Sequence, residues 1–408
     1  MFCYKLRMHF RTLFFVLFFC LLGFAGITLY DAVPDELYVV AGEEEKMDFS
    51  VPVSFERKEE SIAVLKNQTN KGKANMGERE YTLCCKFLSL IPLKEVSVHV
   101  VERESVFPSG MPIGIYTKTM GVLVIGTGKV TAADGMIYEP SDQLVSGGDY
   151  IMTVNGVEIQ EKEELIEQVQ KSEGEDLVLG IIREDDLIEL KVRPVKAEDK
   201  TYKLGIWVRD DMAGVGTLTY VKDSEYGALG HPVSDADTGS MISLSNGQIY
   251  QTDIVSIVKG GDGVPGELTG VINYSDQYVL GNILENTKTG IYGKMDEKVT
   301  EMEQESMETA MKQEIEKGDA CILSSLDGTL KQYQIEIDEI DYNNKEKNKG
   351  ILFHVTDEEL LEKTGGIVQG MSGSPIIQNH RVIGAVTHVF ISDATKGYGI
   401  FIETMLEH

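Results

Sequence analysis

The spacing of apolar residues divides the chain into stretches of different kind. Residues 12–30 are apolar and carry no charge. At about 1.5 Å per residue, a helix of that length crosses a hydrocarbon layer of roughly 30 Å. Residues 41–80 are polar and charge-rich, as in Gly42-Glu-Glu-Glu-Lys46, and predict a flexible stalk. From 81 to 104 the alternation of Val96, Val98 and Val100 predicts strands. Residues 107–196 mix the two periods: an apolar strand at 121–126, a strand ended by the turn Asn155-Gly156, and a helix over 162–171. Two strands follow, at 176–183 and 187–193. The helix places Leu165, Ile166 and Val169 on one face. Beyond 197 short strands dominate, at 204–208, 217–221, 249–258, 320–326, 332–340 and 350–354. One helix is expected among them, over 299–317, ended by Gly318 and burying Met302, Ala310, Met311 and Ile315. The pattern is mainly β with one α+β unit, a sandwich or barrel rather than a doubly wound sheet.

Length and charge narrow the picture. A chain of 408 residues suggests two or three domains, and its 42% hydrophobic and 25% charged residues are ordinary for folded protein. A formal charge of −28 argues against a nucleic-acid surface, which needs clustered Lys and Arg. Lys5, Arg7 and Arg11 precede the apolar run, and Asp31, Asp35 and Glu36 follow it. That asymmetry orients a membrane anchor with its N-terminus in the cytoplasm and the body exported. No A-x-A cleavage site follows the run, so an anchor is expected rather than a cleaved signal peptide. The five cysteines, Cys3, Cys20, Cys84, Cys85 and Cys321, show neither CxxC nor metal-ligand spacing. They leave open only a bridge from Cys84 or Cys85 to Cys321, and no metal or cofactor is expected.

The chemistry concentrates near the C-terminus. Residues 366–375 read Gly-Ile-Val-Gln-Gly-Met-Ser-Gly-Ser-Pro and lead into a strand, a tight turn and a second strand over 376–389. A serine between glycines before such a hairpin is how trypsin-like peptidases present a nucleophile. Gly370 and Gly373 allow the sharp turn, and the amides of Gly370 and Ser372 have the offset of an oxyanion hole. A serine hydroxyl needs a base. Of the seven histidines, His231 alone sits on a Gly/Pro loop without strand alternation, Gly-Ala-Leu-Gly-His-Pro-Val-Ser-Asp over 227–235. His354 and His388 compete with it. For the acid that orients the imidazole, Asp357, fifteen residues before Ser372, competes with Asp235 and Asp237. Thr356 and Glu359 also mark Asp357 as an ordinary first-turn acid of a capped helix.

Two resemblances follow from these phrases. Gly147-Gly-Asp-Tyr-Ile-Met-Thr-Val-Asn-Gly156, with its strand and helix order, resembles a PDZ domain of bacterial proteases. The resemblance implies peptide binding at a sheet edge, with Ile113, Gly114 and Ile115 as the loop that holds a C-terminal carboxylate. Taken together, the apolar N-terminus, the PDZ-like unit, Gly-His-Pro-Val-Ser-Asp at 230–235, Gly-Ile-Trp-Val-Arg-Asp-Asp at 205–211 and Gly-Met-Ser-Gly-Ser-Pro at 370–375 resemble the stage IV sporulation protein B peptidases of endospore-forming bacteria. That resemblance implies a trypsin-like double β-barrel whose catalytic residues match Ser372, His231 and Asp357. It also implies secretion from the forespore into the intermembrane space, self-cleavage in the N-terminal stalk, and cleavage of a membrane-bound regulator that releases sigma-factor processing. The expected organisation is 1–31 cytoplasmic tip and anchor, 32–104 stalk and N-terminal strands, 105–197 PDZ-like domain, and 198–408 peptidase domain. An inactive PDZ scaffold and a general quality-control peptidase are the alternatives.

Overall fold

The computed structural model describes residues 16–17, 23, 26–42, 52–57, 79–261, 263–297 and 305–408. Most of the expected anchor and stalk lies outside these residues. Among the described residues no helix is long and apolar enough to cross a membrane. The strands Glu36–Val40 and Val53–Arg57, at the edges of the expected stalk, belong to a four-stranded sheet with Arg79–Phe87 and Ile91–Val101. Its inward face is Leu37, Val39, Leu83, Cys85, Val96 and Val98. Asn343 ties this sheet to the body through the carbonyls of Asp31 and Val33.

Two rings of strands form the body. The C-terminal ring is a closed barrel running Gly318–Ser324, Lys331–Ile340, Ile351–Val355, Asp393–Phe401, Arg381–Phe390 and Pro375–Gln378. Alternation builds it: in Lys331–Ile340 the side chains of Tyr333, Ile335 and Ile337 point inward, while Gln334 and Glu336 face water. Arg381–Phe390 is buried on both faces and reads as a continuous apolar run. The turn joining it to Pro375–Gln378 is Asn379-His380, both at positive φ, which places His380 in a hairpin turn.

The second ring runs Ser105–Thr127, Ile206–Lys222, Glu225–Ala228, Gly290–Met295, Val279–Thr287 and Leu244–Val258. It closes where Leu244–Val258 pairs back onto Ser105–Thr127. Each of its first two strands is long enough to leave the barrel. Residues 122–127 and 206–210 continue outward into the PDZ-like unit, pairing with each other and, through Tyr150–Val154, with Leu177–Arg183 and Asp186–Val192. The helix Lys162–Lys171 buries Leu165 and Val169 against that sheet. Asp149 of the Gly-Gly-Asp phrase is buried and held by the Arg183 guanidinium through two 2.7 Å bonds. The PDZ-like unit is therefore inserted within the first barrel. The expected boundaries at 105 and 197–198 do not coincide with the edges of a module, because two strands are shared.

Two further expectations are corrected. Ile113, Gly114 and Ile115 lie in the middle of Ser105–Thr127, paired on one side with 214–216 and on the other with Ile249, Tyr250 and Gln251. Both isoleucines are core, and a Cβ on Gly114 would fall 2.4 Å from Thr252 Oγ1. With both edges taken, these residues cannot hold a carboxylate. The helix expected over 299–317 is absent over its described part. Met307–Glu308 is a short strand and Lys312–Glu314 a single 3-10 turn. Ala310, Met311 and Ile315 are buried nonetheless. Tertiary contacts override helical preference here. Thr309 and Ala310 donate to the carbonyls of Glu104 and Val382, and Arg103 grips the Glu314 carboxylate with two 2.7 Å bonds. Cys84, Cys85 and Cys321 are free thiols.

Candidate active site between the two barrels

Ser372 sits on the loop from Gly365 to Ser374 that feeds the hairpin of the C-terminal barrel. Four glycines of this loop, Gly365, Gly366, Gly370 and Gly373, have positive φ. The first barrel grips the loop directly. The Thr217 amide donates to the Ser372 carbonyl (2.9 Å), and Thr217 Oγ1 donates to the Gly370 carbonyl (2.8 Å). The ribbon Glu267–Ile272 also clasps it, with Leu268 donating to the Gln369 carbonyl and Gln369 to that of Gly266, both at 2.8 Å. Gly370 has φ +99, and a Cβ there would fall 2.9 Å from Leu268 Cβ. The backbone amides of Gly370 and Ser372 appear in none of the backbone bonds described for this loop. Ser372 Oγ donates to the Thr387 carbonyl at 2.8 Å.

His231 follows Glu225–Ala228 on a loop opened by Leu229 and Gly230, both at φ +71. Leu229 is a bulky residue in a region that glycine favours, a strain found at functional sites. Packing holds it there: its side chain lies against Gly216, and its backbone lies against Gly373. Gly230 is pressed onto Thr387 and Ile400, where a Cβ would fall 2.8 Å from Thr387 Cγ2. The two loops, distant in sequence, thus converge on Thr387. Asn286 fixes the far side of the His231 loop, accepting from the Val233 amide and donating to the carbonyls of Val233 and Ile242.

The imidazole of His231 contacts the Pro232 carbonyl through Nδ1 at 2.8 Å. A carbonyl oxygen only accepts, so Nδ1 carries the proton and Nε2 keeps its lone pair. Burial holds the His231 pKa below the ordinary histidine value, with the Pro232 bond opposing. On its other side stands His388, ring centroids 5.3 Å apart and planes tilted by 45°.

No expected carboxylate reaches this ring. Asp357 is the N-cap of Glu358–Thr364: one oxygen accepts from the Leu360 amide (2.9 Å), the other from Gln334 (3.2 Å). No hydrogen bond or ion pair to His231 is described for it, and its place in a triad stays a proposal beside this capping role. Asp235 is buried under Arg209 and caps the amides of Asp237 and Thr238. Asp237 also pairs with Arg209, at 2.9 Å. His354 pairs with Asp338 at 2.9 Å. Among the described residues no group of three or more His, Cys, Asp or Glu is placed to hold a metal ion.

The PDZ-like unit offers a different edge from the expected one. Residues 206–210 pair with 123–127 on one side only, and on the other they face the helix Lys162–Lys171, joined through Lys162 and Asp210. Leu204-Gly205 precedes this edge, with Gly205 at φ +64 against the Gly128 carbonyl. Sequence reading missed it, although Leu204-Gly205-Ile206 is the same apolar-Gly-apolar phrase as 113–115.

A family model described as SpoIVB peptidase S55 matches residues 200–406. Among solved structures, the chain is similar to the PDZ domain of the SdrC-like protein of Listeria monocytogenes, at 18% identity and TM-score 0.18. That match covers 22% of this chain and 87% of that one. It is also similar to the Rv3671c protease in its inactive form, at 14% identity and TM-score 0.24, covering 47% and 81%. The Ser343Ala mutant of Rv3671c from Mycobacterium tuberculosis matches at 13% identity and TM-score 0.24, covering 47% and 80%. The family match spans half of the chain, including both loops described above, and on it the chain belongs to the SpoIVB peptidase S55 family and is a serine peptidase.

Proposed function

We propose that the chain is a serine endopeptidase in which Ser372 is the nucleophile and His231 its general base, with the amides of Gly370 and Ser372 as the oxyanion hole. The observation that carries this reading is the convergence of the two loops on Thr387, supported by the tautomer that the Pro232 carbonyl imposes. Rotation about the Ser372 Cα–Cβ bond takes the hydroxyl from the Thr387 carbonyl toward the imidazole. His231 Nε2 then removes the hydroxyl proton as Oγ bonds to the substrate carbonyl carbon. The oxyanion forms against the two amides. His231 returns the proton to the leaving amine, and water, activated by the same nitrogen, releases the acyl group.

The site is set to act on protein segments. A peptide entering beside Ile206–Asp210 adds a strand to the PDZ-like sheet, with the Leu204-Gly205 loop at its terminus. The family points to action in sporulation signalling: self-cleavage of the N-terminal stalk, then cleavage of a membrane-bound regulator that controls sigma-factor processing. Residues 12–30 support a membrane anchor with the body exported, on the forespore side of the intermembrane space, until self-cleavage releases it. N-terminal sequencing of purified protein tests this. The wild type starts within 41–80 and Ser372→Ala retains the whole N-terminus; identical termini in both sink the self-cleavage reading.

A further inference from the structure

The phrase Gly-Ile-Trp-Val-Arg-Asp-Asp at 205–211 has no role in the scheme above. Its strand divides its side chains between two tasks. Ile206 and Val208 pack against the PDZ-like core, and Asp210 pairs with Lys162 of the helix. Arg209 instead leaves the unit: its guanidinium grips Asp235 through Nη1 and Asp237 through Nη2, the latter at 2.9 Å. Both acids belong to the loop that carries His231. From Val233 this loop folds into a small ribbon. The Ile242 amide donates to the Val233 carbonyl (3.1 Å), Ser234 bridges to Met241, and the Asp235 amide donates to the Ser240 carbonyl (2.9 Å). Asp235 closes the tip by accepting from the amides of Asp237 (3.1 Å) and Thr238 (2.8 Å). Asn286 holds the base of the ribbon at Val233, two residues after His231. Arg209 holds its tip, where Thr238 also lies against Gly147 of the PDZ-like unit. The Asp235 side chain is fully buried, so removing its cation leaves a buried charge without a counter-ion, and the ribbon has to rearrange.

We propose that Arg209 is a positioning residue for the peptidase reaction: from the PDZ-like sheet it holds the ribbon that sets His231 against Ser372. The inference rests on the Ser372–His231 reading. Arg209 acts through Asp235 and the backbone of the ribbon. A planar guanidinium spanning two carboxylates fixes direction as well as distance, which a single flexible ammonium does not. A displacement of the imidazole by about 1 Å costs about 100-fold in rate. Two phrases far apart in the sequence, 205–211 and 230–235, thus form one device. The strand that offers a peptide its free edge also bears on the base.

The test is a double-mutant cycle of Arg209→Met and Asp235→Asn in the full chain, on a peptide substrate too short to reach the PDZ-like edge. Asp235→Asn removes the charge and keeps an acceptor for the two amides. Labelling to completion with a fluorophosphonate probe counts the folded enzyme, and kcat is expressed per labelled site. We expect Arg209→Met to lower that kcat about 10- to 100-fold with KM within about threefold. In the Asp235→Asn background, where the pair is already broken, the same change costs less than about threefold. Arg209→Lys keeps the charge without the fork and falls between wild type and Arg209→Met; it takes the place of Met in the cycle where that variant folds poorly. Wild-type kcat per labelled site in Arg209→Met overturns the proposal, even with a lowered urea midpoint, which marks a merely structural pair. An equal fall in both backgrounds overturns it too. Activity in Ser372→Ala or His231→Ala, run in parallel, defeats the underlying reading instead, so the two failures are distinguishable.

Discussion

Replacing Gly373 by Ala tests the seam that brings the two barrels together. Gly373 sits at φ +96, where a side chain costs about 1–3 kcal/mol of backbone strain. A Cβ there would also fall 2.1 Å from the Thr217 carbonyl oxygen, 2.6 Å from the Leu229 nitrogen and 3.0 Å from Leu229 Cα. All three are backbone atoms of the first barrel, and none can rotate away. Relieving the overlap means parting the barrels locally, an overpacking cost of about 1–3 kcal/mol. The sum is about 2–6 kcal/mol. Gly328, at φ +81 in a hairpin of the C-terminal barrel, has nothing within 4 Å of its would-be Cβ. Gly328→Ala therefore carries strain without overlap. Urea unfolding of both variants in a Ser372→Ala background, which removes self-cleavage, isolates the contact as the difference between them. Activity should fall at least about 100-fold in Gly373→Ala, since a shift of about 1 Å in the nucleophile suffices for that. Equal stability of the two variants with full activity in Gly373→Ala would refute the packing of these loops.

Asp357→Asn leaves the cap one acceptor and removes the other, so we expect about 1–2 kcal/mol of lost stability and kcat within a few-fold of wild type. A triad aspartate would show a fall of about 10⁴ in the same steady-state assay. Burial lowers the His231 pKa, so the base stays deprotonated below pH 6.5; kcat/KM should hold there and fall only as pH drops through the lowered value. The same sign governs stability through His388. The unfolded chain binds a proton near 6.5 and the folded chain only near 4, so urea midpoints of Ser372→Ala hold above pH 6.5 and decline toward pH 4. A peptide with an apolar C-terminus should slow amide exchange across 204–210. Residues 113–115, already paired on both edges, should show no change.

Much of this was legible because local chemistry and tertiary role coincide. The Gly-Met-Ser-Gly-Ser-Pro loop needs positive φ in either context, and its hairpin carries the turn that Asn379-His380 supplies. His231 was readable because a Gly-His-Pro loop has no strand period to explain it. Asp357 was ambiguous because a helix N-cap and an imidazole partner call for the same residue type, and the Leu360 and Gln334 amides show the capping role. The phrase Ile113-Gly114-Ile115 and its near copy at 204–206 cannot be ranked by spacing. What separates them is which strand has a partner on both edges, a long-range property. The expected helix at 299–317 failed for a similar reason: Arg103 and the Glu104 and Val382 carbonyls, far away in sequence, claim its groups. His388 competed as a base in the sequence, and only the fold shows that its ring lies beside that of His231.

The central claim is that His231 activates Ser372, and the most direct measurement is the rate at which a fluorophosphonate probe labels Ser372 in the wild type and in His231→Ala. We expect labelling of the wild type to map to Ser372 and to slow by about 10³-fold or more in His231→Ala, with the fold unchanged. Equal labelling rates in the two proteins, or no labelling of Ser372 in an active wild-type preparation, would contradict it.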